Sequence, residues 1–198
     1  SSDAKTIFTS DLRCFHSWSR HSLSVWQQNE IIANSSSFDT FYPASDSDPS
    51  RIKLVAGGIV GNISIWRGEA GQFEQLFTAH PDPMGLNGAA NVEEILFSPD
   101  GRLLASIGVN GDVKVWDTQH FQRVSGSFMW QAHSLAFDIS GEMLAFSGQD
   151  FDREDNNRSA PSVRIINTET GAIIAQTFRD ASVIAISPEK NAIGTGNP

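Results

Sequence analysis

Cys14 and His16 stand two residues apart, a spacing that puts both side chains on one face of a strand. A thiol beside an imidazole could serve as nucleophile and base. That chemistry also needs a third group to orient the base, and no such residue identifies itself. The pair therefore reads as packing or edge residues. The segment Asp150-Phe151-Asp152-Arg153-Glu154-Asp155-Asn156-Asn157 is rich in oxygen donors of the kind calcium takes. It has neither the Gly at the sixth position nor the Glu at the twelfth that an EF-hand loop requires, and Arg153 and Arg158 compete for its carboxylates. A solvated acidic loop is the better reading. His21, His80, His120 and His133 are scattered without metal-ligand spacing. No phosphate-cradling loop and no G-x-S-x-G elbow occurs. The chain is expected to be no enzyme and to hold no metal and no cofactor.

The whole chain sets further bounds. Its 198 residues carry a net charge of −9, and an acidic surface repels phosphate backbones, so neither nucleic acid nor an anionic membrane is expected as a partner. Cys14 is the only cysteine, which rules out an intrachain disulfide and a cysteine-based zinc site and fits a reducing compartment. An intracellular location, cytoplasmic or nuclear, is the corresponding expectation. No apolar run reaches the roughly 18 residues that a membrane-spanning helix needs, and no signal peptide is present. The chain opens Ser1-Ser2 without a Met, which leaves its natural start open. Three glycosylation triplets, beginning at Asn34, Asn62 and Asn157, read as chance matches.

The elements that would position any site follow from a repeat. Trp26, Trp66 and Trp116 each end a short alternating run: Leu23-Ser-Val-Trp26, Ile63-Ser-Ile-Trp66 and Val113-Lys-Val-Trp116. A fourth run, Val163-Arg-Ile-Ile166, has Ile in the Trp position. Spacings of this size with a recurring aromatic are the mark of a repeat architecture. The clearest copy is Asn91–Asp117, NVEEILFSPDGRLLASIGVNGDVKVWD. Strands are expected at Val92–Phe97, Leu103–Ile107, Val113–Trp116 and Arg123–Phe128. Ser98-Pro-Asp-Gly101 supplies one turn, and Asn110-Gly111 the strongest short hairpin signal. Four short strands with turns between them, repeated, make propeller blades.

FSPDGRLLASIGVNGDVKVWD, ending in the pair Trp116-Asp117, resembles the WD-repeat β-propeller family. LVAGGIVGNISIW, ending at Trp66, is a good second copy. FHSWSRHSLSVW, ending at Trp26, and MLAFSGQD with SVRIIN, around Ile166, are degenerate ones. The fold expected is all-β, a β-propeller of WD-repeat type with about four four-stranded blades and an incomplete fifth. The blades fall at about 1–36, 37–78, 91–128 and 132–178, with a partial one at 181–198. The resemblance implies a hydrogen-bonded set in each blade, of His, Ser or Thr, Asp and Trp. In the third blade the matching residues are His80, Ser106, Asn110 in place of Asp, and Trp116; elsewhere the set is eroded. Such sets are structural, as are Trp26, Trp66 and Asp117.

Four blades and a fragment are fewer than the seven-bladed ring the resemblance implies. Three readings stand: a piece of a larger propeller, a propeller completed by another chain or by dimerisation, or a small ring that closes on itself. In a meander, the turns between second and third strands share a face with the links between blades. That face would carry the insertions 79–90 and 149–161, whereas 43–49 would lie on the other. Long loops on a rigid scaffold are where binding usually resides. Trp18, Arg20, His80, Trp130, Asp152, Arg153 and Arg158 are the candidate contacts there, with Trp and Arg favoured at hot spots. The competing reading packs Trp18 and Trp130 between blades and leaves the loops inert. The function expected is a non-catalytic scaffold for a protein or peptide partner. The alternative is an architectural subunit whose open blade edges are completed by another chain or domain; an enzymatic or calcium-binding propeller is the remaining one.

Overall fold

The computed structural model describes residues 6–10, 15–22, 25–33, 35–41, 53–58, 61–67, 72–80, 91–152, 158–178, 183–187 and 193–196, with side chains described over 61–65, 78–80, 91–150, 159–178, 184–187, 194 and 196. Every element is a strand, and no α-helix occurs among the described residues. In chain order they are β1 (Thr6–Ser10), β2 (Phe15–Ser22), β3 (Val25–Ala33), β4 (Ser35–Phe41), β5 (Lys53–Gly58), β6 (Asn62–Arg67), β7 (Gln72–Thr78), β8 (Val92–Phe97), β9 (Leu103–Gly108), β10 (Asp112–Asp117), β11 (Arg123–Phe128), β12 (Trp130–Phe137), β13 (Met143–Asp152), β14 (Arg158–Asn167), β15 (Ile173–Thr177), β16 (Val183–Ile186) and β17 (Ile193–Gly196). They form antiparallel meanders: β1-β2-β3, then four-stranded sheets β4 to β7, β8 to β11 and β12 to β15, then the pair β16-β17. The first strands of successive sheets lie side by side, β4 by β8, β8 by β12 and β12 by β16.

The repeat is visible in the backbone. The third strand of each four-stranded sheet shifts register at one place, between Ile65 and Trp66, Val115 and Trp116, and Ile165 and Ile166. Such a bulge twists the strand locally and re-aims the side chain that follows. The turns after β10 and β14 are also copies. Asp117 accepts from the backbone N–H groups of Gln119 and His120, and Asn167 from those of Glu169 and Thr170. Thr118 and Thr168 each donate a hydroxyl, at 2.7 Å, to the carbonyl of Gly101 and of Gly141. Local side-chain bonds of this kind are what make such residues turn formers.

The core lies between sheets, one cluster per junction. Ile63, Ile65 and Ala79 meet Val92, Ile95, Phe97, Leu104, Trp116 and Phe121. Ile107, Val113, Val115 and Met129 meet Leu135, Phe137, Leu144, Phe146 and Ile166. Ala136, Ala145 and Val163 meet Ile184. Strands that bury both faces must be apolar on both, and Leu104 to Gly108 are all buried. Gly111 shows how tightly the junctions close: its φ is +88°, and a Cβ there would stand 2.4 Å from the Met129 carbonyl.

Two features depart from the sequence-based expectation. Trp26 lies near the start of β3, which runs on to Ala33, so it does not close a strand. The 149–161 insertion is not all loop. β13 and β14 each run ten residues and stay paired out to Asp152 opposite Arg158. β12 stops pairing at Trp130 opposite Gln149, and β15 at Thr177 opposite Val163. The hairpin therefore projects past its neighbours, because the ladder already formed below it needs only the next pair to extend.

Candidate functional site

Side chains from β9, from β10 and from the residues just past β7 form a buried polar core against the β8–β11 sheet. Ser106 on β9 stands opposite Lys114 on β10, and Trp116 follows the bulge two residues later. The indole Nε1–H of Trp116 donates to Ser106 Oγ at 2.9 Å. The ring of His80, just past β7, meets the same oxygen through Nε2 at 2.8 Å. His80 and Ser106 have no exposed surface. Burial pushes the imidazole down to about 4, with the Lys114 charge helping, Asp112 opposing and Arg123 adding to the fall, so the ring is neutral at pH 7. Asn110 does not join: its amide donates to Asp112 at 3.0 Å, and the buried Nδ1 of His80 has no partner. The set implied by the family resemblance is thus three-membered, because the acceptor that Asp would offer is turned into the local Asn110–Asp112 turn. His80 has no surface to offer a partner, which corrects its place among the candidate contacts.

The next sheet answers the same positions differently. Phe146 stands opposite Arg164, where Ser106 stands opposite Lys114, and Ile166 stands opposite Leu144, where Trp116 stands opposite Leu104. Both Phe146 and Ile166 are fully buried. Met129 N–H bonds the Gly111 carbonyl just as Ala79 N–H bonds that of Gly61, so Trp130 occupies the place after Met129 that His80 occupies after Ala79. Phe146 replaces the hydroxyl that a polar ring would bond, and Trp130 turns outward. It is 55% exposed, and its ring meets that of Phe128, itself 46% exposed, edge to face at 5.6 Å between centroids. Gln131 beside it has φ +50°, a left-handed conformation that is uncommon for a side-chain-bearing residue.

A braced polar cluster lies under this aromatic corner. Arg164, almost wholly buried, donates from Nη1 to the Phe128 carbonyl at 2.8 Å and from Nη2 to the Asp150 carboxylate. Gln176 donates to the same carboxylate at 2.9 Å. Lys114 does the corresponding work one sheet earlier, donating to the Ala79 carbonyl at 2.8 Å. A cation on β10 and another on β14 thus tie down the chain entering their sheets, whereas β6 has Ser64 at that position. A charge-assisted bond made in a buried place is the stronger kind.

On the opposite face, an open cavity of about 560 Å³ lies between the sheets, lined by Arg102, Leu103, Val124, Glu142, Thr168 and Glu169 among others. It gathers one cation, Arg102, and two carboxylates, Glu142 and Glu169. Two carboxylates here are held low by turn geometry. Burial would raise Asp117, but N–H donors from His120, Gln122 and Gln119 outweigh it. The same opposition holds for Asp100, whose donors come from Arg102 and Ser98. These are structural turns.

The remaining sequence candidates fall as follows. Trp18 and Arg20 lie on β2, Trp66 on β6, and Asp152 and Arg158 at the last pair of the long hairpin; their side chains, like that of Trp26, are outside the described ones. Arg153, Cys14 and residues 81–90 lie outside the described residues. Among the described residues no group of three or more His, Cys, Asp or Glu is placed to hold a metal ion, and no helix is long and apolar enough to cross a membrane. Sequence reasoning missed Phe128, Arg164 and Gln176, and weighed Asp150 only as an oxygen donor of an acidic loop. The signal available for Arg164 was its match to Lys114 at the same position of the repeat.

No known family model matches the chain, and no curated protein matches it. Among solved structures it is similar to the computationally designed Ika8 protein. The two are 14% identical with a TM-score of 0.58, over 89% of this chain and 51% of that one. The chain thus spans about half the length of the protein it matches. At that identity the likeness concerns the fold alone.

Proposed function

We propose that the chain is a non-catalytic binding platform, an open β-propeller segment of WD-repeat type that holds a protein or peptide partner against the face carrying the 149–161 hairpin. The observation that carries this reading is the Phe128–Trp130 corner. Two large aromatics are exposed together beside the long hairpin, on a scaffold whose equivalent position one sheet earlier is buried and polar. Aromatic side chains in a rigid setting are what binding hot spots are made of. The side-by-side first strands, the meander within each sheet and the common bulge position support the propeller reading. The test shortens the hairpin between Asp150 and Ala160 to a tight turn and compares capture of partners from a native extract. Capture lost with an unchanged melting curve supports the platform; undiminished capture refutes this face.

A second reading, an architectural subunit, is favoured by β15. It is the outer strand of its sheet, every residue in it is exposed, and it has no charged residue. Ile173 and Ile174 stand on it, and Phe178 follows, all exposed. Edge strands are ordinarily guarded by charge, as exposed Arg123 on β11 guards its own. Concentration-dependent sedimentation that disappears in Ile174→Lys would support lateral association; a monomer at all concentrations would remove it.

A further inference from the structure

The aromatic corner also has a chemistry of its own. Phe128 stands opposite Asp112 in the sheet register, and Trp130 stands opposite Gln149, next to Asp150. Phe128 therefore faces a carboxylate across the ladder, whereas Asp150, one residue on from Gln149, points to the other face of β13, toward Arg164. Each carboxylate is already fixed: Asp112 by the Lys114 ammonium at 3.5 Å, Asp150 by Arg164 and Gln176. The corner is consequently rigid before any ligand arrives. Met129, between the two aromatics, is buried and pins the chain, and Arg164 grips the Phe128 carbonyl from below. Asp150 and Asp152 lie on β13 and Arg158 on β14, and the chain as a whole is at −9. Those two ion pairs are neutral as units, so the preference for a cation comes from the exposed rings, which attract one through their quadrupole, and from the net charge of the whole chain.

Resting on the platform reading, we propose that the Phe128–Trp130 corner is the recognition point for a Lys- or Arg-bearing peptide segment, whose cationic side chain lies over the exposed indole. An acidic segment is repelled by the same net charge. A purely apolar one would lose the attraction that distinguishes this corner from Ile139, which is exposed on the opposite face. Steering by the net charge sets the rate of approach, and the ring sets where the cation stops.

The test pans a random short-peptide library over the full chain, then measures each selected peptide by fluorescence anisotropy at about 0.15 M salt, where long-range steering is largely screened. Wild type is compared with Trp130→Ala, Phe128→Ala and Ile139→Ala, with melting curves as the fold control. The expected result is enrichment of Lys- and Arg-bearing peptides that weaken roughly 5- to 30-fold with Trp130→Ala, less with Phe128→Ala, and not with Ile139→Ala. Acetylating the lysines of a selected peptide should weaken it by a similar factor. Selected peptides that are neutral or acidic, yet lost with Trp130→Ala, overturn the cationic specificity and leave the platform standing. Basic peptides indifferent to Trp130→Ala reduce the effect to unspecific charge and overturn the proposal. Failure to select any peptide overturns both.

Discussion

His80 offers a quantitative handle on the buried polar core, and the perturbation is acid. Folding takes the imidazole from 6.5 to about 4. Between those values the unfolded chain holds a proton that the folded chain does not. The stabilisation is therefore fully present above about pH 6.5 and is lost as pH falls through 4. At about 1.4 kcal/mol per pH unit of that gap, the His80 contribution amounts to about 3 kcal/mol. The physical origin is specific: a ring with no exposed surface, a nearby ammonium on Lys114, and an Nδ1 without an acceptor. The assay is urea unfolding by tryptophan fluorescence at closely spaced pH, comparing wild type with His80→Gln. Every other titrating group is common to both, so the difference between the two profiles isolates this one. Wild type should lose stability more steeply below pH 6.5, and the two curves should converge or cross towards pH 4. Parallel profiles from pH 7 to 4 would refute the claim that a neutral, enclosed His80 is part of the fold.

Other perturbations test the packing. Trp116→Ala should cost about 3–5 kcal/mol in the same unfolding assay, since it empties a buried aromatic site and removes one of the two partners of the Ser106 hydroxyl. Phe121 is buried at φ +54°, at the turn position where the next sheet has Gly171 at φ +71°. Phe121→Ala should therefore be less stable than Phe121→Gly, by about 1 kcal/mol, the reverse of the usual order; equal melting temperatures would count against a left-handed backbone there. Ile174→Lys should leave the melting temperature within a degree or so while suppressing any self-association, since it changes an exposed edge residue.

The strands of the β8–β11 sheet were legible because their signals are local. Ser98-Pro-Asp-Gly101 and Asn110-Gly111 fix turns by their own chemistry, so Val92–Phe97 and Arg123–Phe128 have the bounds their residues suggest. The 50-residue steps from Trp66 to Trp116 to Ile166 are the steps of the bulge itself. What could not be read depends on partners distant in the chain. Trp130 is exposed in a sheet where Phe146 takes the position of Ser106, and nothing near Trp130 in sequence says so. Asn110 looked like a member of the His80 set, but the competing turn to Asp112 holds its side chain. The 149–161 segment is polar and contains Pro161, which argues for a loop; it pairs because Pro161 lies beyond Val163, where β15 has already stopped. Arg164 and Asp150 meet only through the hairpin that brings them together.

The central claim is that partners meet the face bearing the hairpin and the Phe128–Trp130 corner. Val109 and Ile139 are both exposed apolar residues, in the β9–β10 turn on that face and in the β12–β13 turn on the other. A photo-crosslinking amino acid placed at one or the other position of the full chain, irradiated in native extract, reads the face directly. Adducts from position 109, competed away by a selected basic peptide and absent from position 139, are the result expected. Adducts chiefly from position 139 would contradict it, and would move the site to the cavity lined by Arg102, Glu142 and Glu169.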